Sequence, residues 1–194
     1  MKRILLGIAL LGFMVSGGYG QSFDRPLKLT LSAEKNIYAL GDEIEFSLDF
    51  MNTSPQDIYI YVSNLDRAKL FNMTDEKGNK PSYQTAAVYD VMWNQEDYKL
   101  IKAGGHYVWK IKAKVLNNKG PMLDFGGSTI RLTGAGKFQM SVVYQGWDGL
   151  TSDKNGKPIA ISKKLGIKNV FVGMLTSNTV PIELKELIDR IVSL

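Results

Sequence analysis

From Glu43 to Phe50 the chain alternates strictly, with Ile44, Phe46, Leu48 and Phe50 set against Glu43, Glu45, Ser47 and Asp49. A period of two belongs to a strand, because successive side chains leave opposite faces of the pleat. One face must meet a core and the other must meet water. The same pattern recurs along the chain. Leu27, Leu29 and Leu31 alternate with Lys28 and Thr30, and Phe138, Met140, Val142 and Tyr144 with Lys137, Gln139 and Ser141. Tyr107, Trp109, Ile111, Ala113 and Val115 share one face of a further strand, with Lys110, Lys112 and Lys114 on the other. Ile58–Val62 is apolar on both faces, and Tyr83–Trp93 reads as a less regular aromatic strand.

Turn chemistry separates these runs: Gly41-Asp42, Asn52-Thr53-Ser54-Pro55, Asp75 to Pro81, Gly104-Gly105 and Asp153 to Pro158. Residues 117–128 are rich in Gly, Asn and Pro and read as a long loop. Val170–Leu184 carries one or two strands, with Pro181 pointing to an edge. In Lys185–Leu194, Leu187, Ile188, Ile191 and Val192 fall at helical spacing, which predicts a short amphipathic C-terminal helix. About seven to nine strands with one apolar face each predict an all-β, two-sheet antiparallel sandwich. No repeat or linker divides it, so residues 21–194 form one domain.

The first 20 residues have a different logic. Lys2 and Arg3 precede an uncharged apolar run from Ile4 to Val15, and Gly18 and Gly20 suit a cleavage site before Gln21. That is the layout of a secretory signal peptide at 1–20. The run is 12 residues long, whereas a spanning helix needs about 20. No later stretch approaches that length, so no transmembrane segment is expected after processing. Losing Lys2 and Arg3 leaves 22 basic against 19 acidic side chains, a mild +3. Such a balance in an exported protein argues against nucleic acid as a partner. With no cysteine in the chain, stability must come from packing alone, a habit of bacterial exported proteins. The expected location is periplasmic or secreted.

The stretch Leu27–Phe50, with Tyr38-x-x-Gly41-Asp42-x-Ile44 and then Asn52-x-Ser54, resembles the opening of many bacterial immunoglobulin-like domains. These include macroglobulin-type modules and the intracellular proteinase inhibitor domain family. Asp75-x-x-Gly78, the approach from Leu100 to Gly104, and Leu132-x-x-x-Gly136-Lys137-Phe138 continue the likeness. It covers roughly residues 27–145 and a last strand near 170–184. The resemblance implies an immunoglobulin-like sandwich and offers inhibition of an exported protease as an alternative function. No reactive-site residue carries over.

Catalytic groups are hard to assemble. His106 is the single imidazole, at a strand start, and no Gly-x-Ser-x-Gly elbow accompanies it. Adjacent acids such as Asp42-Glu43 and Asp75-Glu76 read as solvated turns and not as catalytic pairs. Asp153-x-Asn155-Gly156 looks like part of a calcium loop, but Thr151 and Ser162 stand where carboxylates are needed, so it reads as a tight turn. No cofactor and no metal are expected, and the chain is read as a non-enzyme.

Two sets of residues remain as candidate contacts. Tyr89, Trp93, Tyr98 and Trp147 are aromatics in or beside irregular segments, suited to stacking on a sugar or anchoring a protein. Lys110, Lys112 and Lys114 line one strand face about 7 Å apart and could meet an anionic partner. The sequence thus predicts a binding or interaction module that contacts a protein or polysaccharide of the cell envelope through its loops.

Overall fold

A computed structural model describes residues 26–62, 67–85 and 94–185. The expected signal peptide, the C-terminal helix, Tyr89 and Trp93 lie outside the described residues.

The described chain is almost wholly β. In order come β1 (Leu27–Ala33), β2 (Ile37–Tyr38), β3 (Glu43–Asn52), β4 (Ile58–Tyr61), β5 (Phe71–Asp75) and β6 (Ser82–Thr85). Then follow β7 (Tyr98–Ile101), β8 (His106–Asn117), β9 (Pro121–Asp124), β10 (Ser128–Arg131) and β11 (Gly136–Gly146). The chain continues through β12 (Leu150–Ser152), β13 (Pro158–Ala160), one helical turn α1 (Ile161–Lys164), β14 (Gly173–Thr176) and β15 (Val180–Leu184). The long strands β3, β8 and β11 are the three cleanest alternating runs. Most of the elements beyond the expected seven to nine strands are short.

The first sheet runs β1-β3-β8-β9-β10-β6. Its centre is the β3–β8 pair, with Phe46 opposite Ile111 and Leu48 opposite Trp109. The second sheet is built on β11, which pairs β15 over its first half, β14 over its last residues and β5 over its middle. A parallel β2 extends it beyond β15. Inward residues of both sheets form one core, including Ile44, Phe46, Leu48 and Phe50 from β3 and Phe138, Met140, Val142 and Tyr144 from β11. The contact is direct: the Phe46 and Phe71 rings lie 4.8 Å apart, and Phe50 meets Tyr144 edge-on at 4.9 Å. The protein is an all-β sandwich.

Residues 117–128 differ from the loop expected there. They fold back as β9 and lead into β10, with Leu123 buried opposite both Val115 and Ile130. The turn residues at each end dominate the composition of so short a strand, which hides its pattern. β1 is an edge strand, and Asn178 closes part of that edge with its side-chain amide. Leu31 N–H donates to Asn178 Oδ1 at 2.8 Å, and Asn178 Nδ2 donates to the Leu31 carbonyl at 3.0 Å. A capped edge is a poor template for pairing with another chain.

A small second cluster sits at one end of the sandwich. Tyr98, Ile161 and Ile167 form its buried centre, with Tyr59, Tyr61, Leu165 and Val170 packed around them. β4 and β7 pair on one side of this lobe, and the β12–β13 hairpin and α1 supply the other. Tyr59 joins the two parts, receiving the Phe171 N–H on its carbonyl at 2.8 Å and donating to the Asn169 carbonyl at 3.0 Å.

Candidate contact surface at the end lobe

The lobe is pinned to the sandwich by one tyrosine. The Tyr144 hydroxyl donates to the Tyr61 carbonyl at 2.8 Å and accepts the Tyr61 N–H at 3.1 Å. Burial pushes this phenol well above its ordinary value.

The turn that leaves β11 reads Gly146-Trp147-Asp148-Gly149, and each residue has a distinct task. A side chain at Gly146 would collide with the ring and carbonyl of Phe171. A Cβ at Gly149 would lie 2.7 Å from the Trp147 indole and 2.8 Å from the end of Ile161. Contacts that close are not seen for real side chains, so the two glycines make room for the rings. Asp148 accepts the Ser162 N–H at 3.0 Å and also its hydroxyl, which ties the start of α1 beneath the turn. Trp147 is thereby held against Gly149 and beside Ile161, with 49% of its surface in solvent.

Tyr98 behaves differently from Trp147. Its ring is 5% exposed and packs at 5.3 Å on Tyr61. Its hydroxyl faces the Asp148 carboxylate without closing a hydrogen bond of normal geometry. Burial first, then the Asp148 charge, push this phenol up to about 12. Of the two described aromatics proposed as contacts, the fold therefore offers Trp147 to solvent and places Tyr98 inside the lobe. Sequence spacing could not separate them, because β7 buries its first residue against a segment some sixty positions further on.

Other large apolar side chains stand exposed around Trp147. Leu150 is 72% exposed, Val172 65% and Met174 61%. Gly146 pairs with Gly173 and Gln145 with Met174, so Trp147 and Val172 flank the last pair of the β11–β14 ladder. None of these three aliphatics stands out in sequence. For Met174 the structure supplies the reason: Leu175 beside it is buried, which turns Met174 outward.

The lysine row is exposed but not free. On the outer face of the first sheet β3 sets its acids against β8. Lys110 Nζ meets Glu45 at 2.6 Å and Lys112 Nζ meets Glu43 at 2.6 Å. Lys114 stands opposite Glu43 on one side and Asp124 on the other. Its hydrogen bond with Lys110 holds the Glu45 carboxyl below its usual range, and the Glu43 bond holds Lys112 above its own. The single histidine belongs to the same ladder, with His106 Nδ1 3.0 Å from Asp49 Oδ1. A row that reads as cationic on one strand is thus matched by acids on its neighbour.

The acidic turns are occupied by their own backbone. Asp153 Oδ1 accepts the Asn155 and Lys157 N–H groups, and Asp75 Oδ1 accepts those of Lys77 and Asn79. Asp75 also receives the Asn79 amide and the Thr133 hydroxyl, and its carboxyl is held below the usual range, chiefly by the Asn79 side chain. An open groove of about 580 Å³ lies on the second sheet, lined by Ile37, Glu76, Lys137, Gln139, Pro181 and Glu183 among others. His106 is on the other sheet and takes no part in it.

Fold and surface together define a two-sheet β-sandwich with an accessory lobe that carries an exposed aromatic and aliphatic cluster. No protein-family model matches the chain, and no curated protein matches it.

Proposed function

We propose that the chain is a non-catalytic contact module of the cell envelope whose contact surface is the Trp147 end of the sandwich. The observation that carries this reading is the grouping at one end of the sandwich of four large apolar side chains, Trp147, Leu150, Val172 and Met174, each with 49% or more of its surface in solvent. Scattered single exposures are ordinary, but a group around an aromatic marks an interaction site. The aliphatic neighbours favour an apolar counter-surface over a sugar, which needs polar groups beside the stacking ring. The signal peptide expected over residues 1–20 supports an envelope setting.

The test is retention of envelope material by the immobilised chain. Leu150→Glu with Met174→Glu is expected to abolish retention while leaving the melting temperature within about 2 °C, because both side chains already face water. Equal retention by wild type and variant would overturn the reading. Inhibition of an exported protease would show itself as stoichiometric slowing of that protease by the purified chain.

A further inference from the structure

The stretch that carries the exposed cluster is also rich in lysine. Residues 146–176 carry five lysines, Lys154, Lys157, Lys163, Lys164 and Lys168, against two carboxylates, Asp148 and Asp153. All five lysines are exposed, and among the described residues none makes an ion pair. Both carboxylates are turned to local donors, Asp148 to Ser162 and Asp153 to its own turn. The lysines and the apolar residues are also contiguous. Lys164 Nζ reaches Thr151 and the Ser152 carbonyl of β12, the strand that begins at Leu150. Lys163 and Lys164 follow within three residues of Ile161, whose side chain and the Trp147 ring both lie against Gly149.

From this we infer that the end lobe docks on an anionic lipid surface. The inference rests on the reading of this end as the contact surface and names what it contacts. Protruding Trp, Leu, Val and Met side chains enter the headgroup and upper acyl region, while lysines stay at the level of the phosphates. Each lysine near such a surface contributes on the order of 1 kcal/mol, equivalent to roughly a fivefold gain in partitioning. A bilayer also accepts protruding side chains without a shaped counterpart, which suits a cluster that stands proud of the surface. Residues 146–176 supply both components in one 31-residue stretch, with five lysines against two carboxylates. On the β3–β8 face Lys110 and Lys112 are already matched by glutamates, and the exposed apolar side chains there, Val108 and Met51, stand opposite Asp49 and His106.

The experiment is co-sedimentation of the purified chain with vesicles of phosphatidylcholine alone and of an equimolar mixture with phosphatidylglycerol. Binding to the mixture and not to phosphatidylcholine alone is expected, with a shift of tryptophan emission to shorter wavelength. Lys163→Glu with Lys164→Glu is expected to lower partitioning at least tenfold or so, and added salt to weaken it. Leu150→Glu with Met174→Glu is expected to lower it by a similar factor, whereas Lys110→Glu leaves it within about twofold, since that residue lies outside the lobe. The differences between variants are the readout, so any binding through the apolar N-terminal run cancels. No preference for the anionic vesicles, or equal binding by the lobe variants, overturns the inference. If vesicles are not bound but envelope material is still lost by the Leu150→Glu, Met174→Glu chain, the lipid assignment fails and the contact surface stands.

Discussion

Two groups of exposed lysines in this molecule differ in what stands opposite. On β8 the ammonium groups of Lys110 and Lys112 each touch a glutamate of β3, and the underside of that same sheet is the centre of the core. Residues 146–176 combine five exposed lysines with exposed apolar side chains, while Asp148 accepts from Ser162 and Asp153 from its own turn. The first region spends its charges on itself and holds the fold together from below. The second keeps its lysines outside any ion pair among the described residues and holds much of its apolar area in solvent. A row of like charges on one strand therefore carries little information until its neighbour strand is known.

The comparison assigns stability to the sandwich and contact to the lobe, and the largest predicted effect tests the stability side. Phe46 is fully buried beneath the β3–β8 ladder and touches the Phe71 ring, with Phe125 stacked further out. Phe46→Ala is expected to cost about 3–5 kcal/mol in a denaturant titration. A loss below about 1 kcal/mol would dissolve the contrast, because the ladder would then cover no tight core.

The junction comes next. Tyr144→Phe removes both hydrogen bonds to the Tyr61 backbone and leaves two partners unmatched, so about 1–3 kcal/mol should be lost in the same titration. Tyr98→Phe should cost almost nothing or stabilise slightly, since its hydroxyl is buried without a well-formed bond. Equal losses would mean that the lobe closes on Tyr98 as much as on Tyr144.

Alkaline pH probes the same two phenols. Folded Tyr98 is held neutral up to about 12 and Tyr144 is raised as well, whereas the unfolded chain ionises near the ordinary value of 10.0. Their contribution is therefore complete below about pH 10 and drains away as pH rises towards the folded values. The melting temperature should fall between about pH 9 and about pH 11, and the Tyr98→Phe, Tyr144→Phe double variant should fall less steeply. Identical slopes would show that neither ring is buried as described.

The smallest effect is expected on the ladder itself. Lys112→Ala breaks an exposed ion pair and should leave the melting temperature almost unchanged, as exposed pairs do. A large loss would make the ladder a structural device and not a solvated face.

Much of the sandwich was legible because burial writes itself as period two. The stripes at Ile44–Phe50, Tyr107–Val115 and Phe138–Tyr144 became β3, β8 and β11, and their apolar members became the core. The turns at Asp75 and Asp153 were legible from Asp, Gly and Asn chemistry. β9 and β10 were not, since four-residue strands between glycines show no period. α1 escaped for the same reason: one helical turn offers no repeat, and its tie to Asp148 comes from a distant side chain. At the proposed contact surface Trp147 was legible as an aromatic following a strand end at Gly146. Leu150, Val172 and Met174 were not, because exposure of an aliphatic residue is decided by what fails to pack on it, and the sequence carries no mark of that.

The most direct measurement is amide hydrogen exchange of the chain alone and with envelope membranes. The account predicts slowed exchange across residues 147–174 on addition of membranes, with the strands at 43–52 and 106–117 unchanged. Protection appearing on those two strands while 147–174 stays unaltered would contradict it.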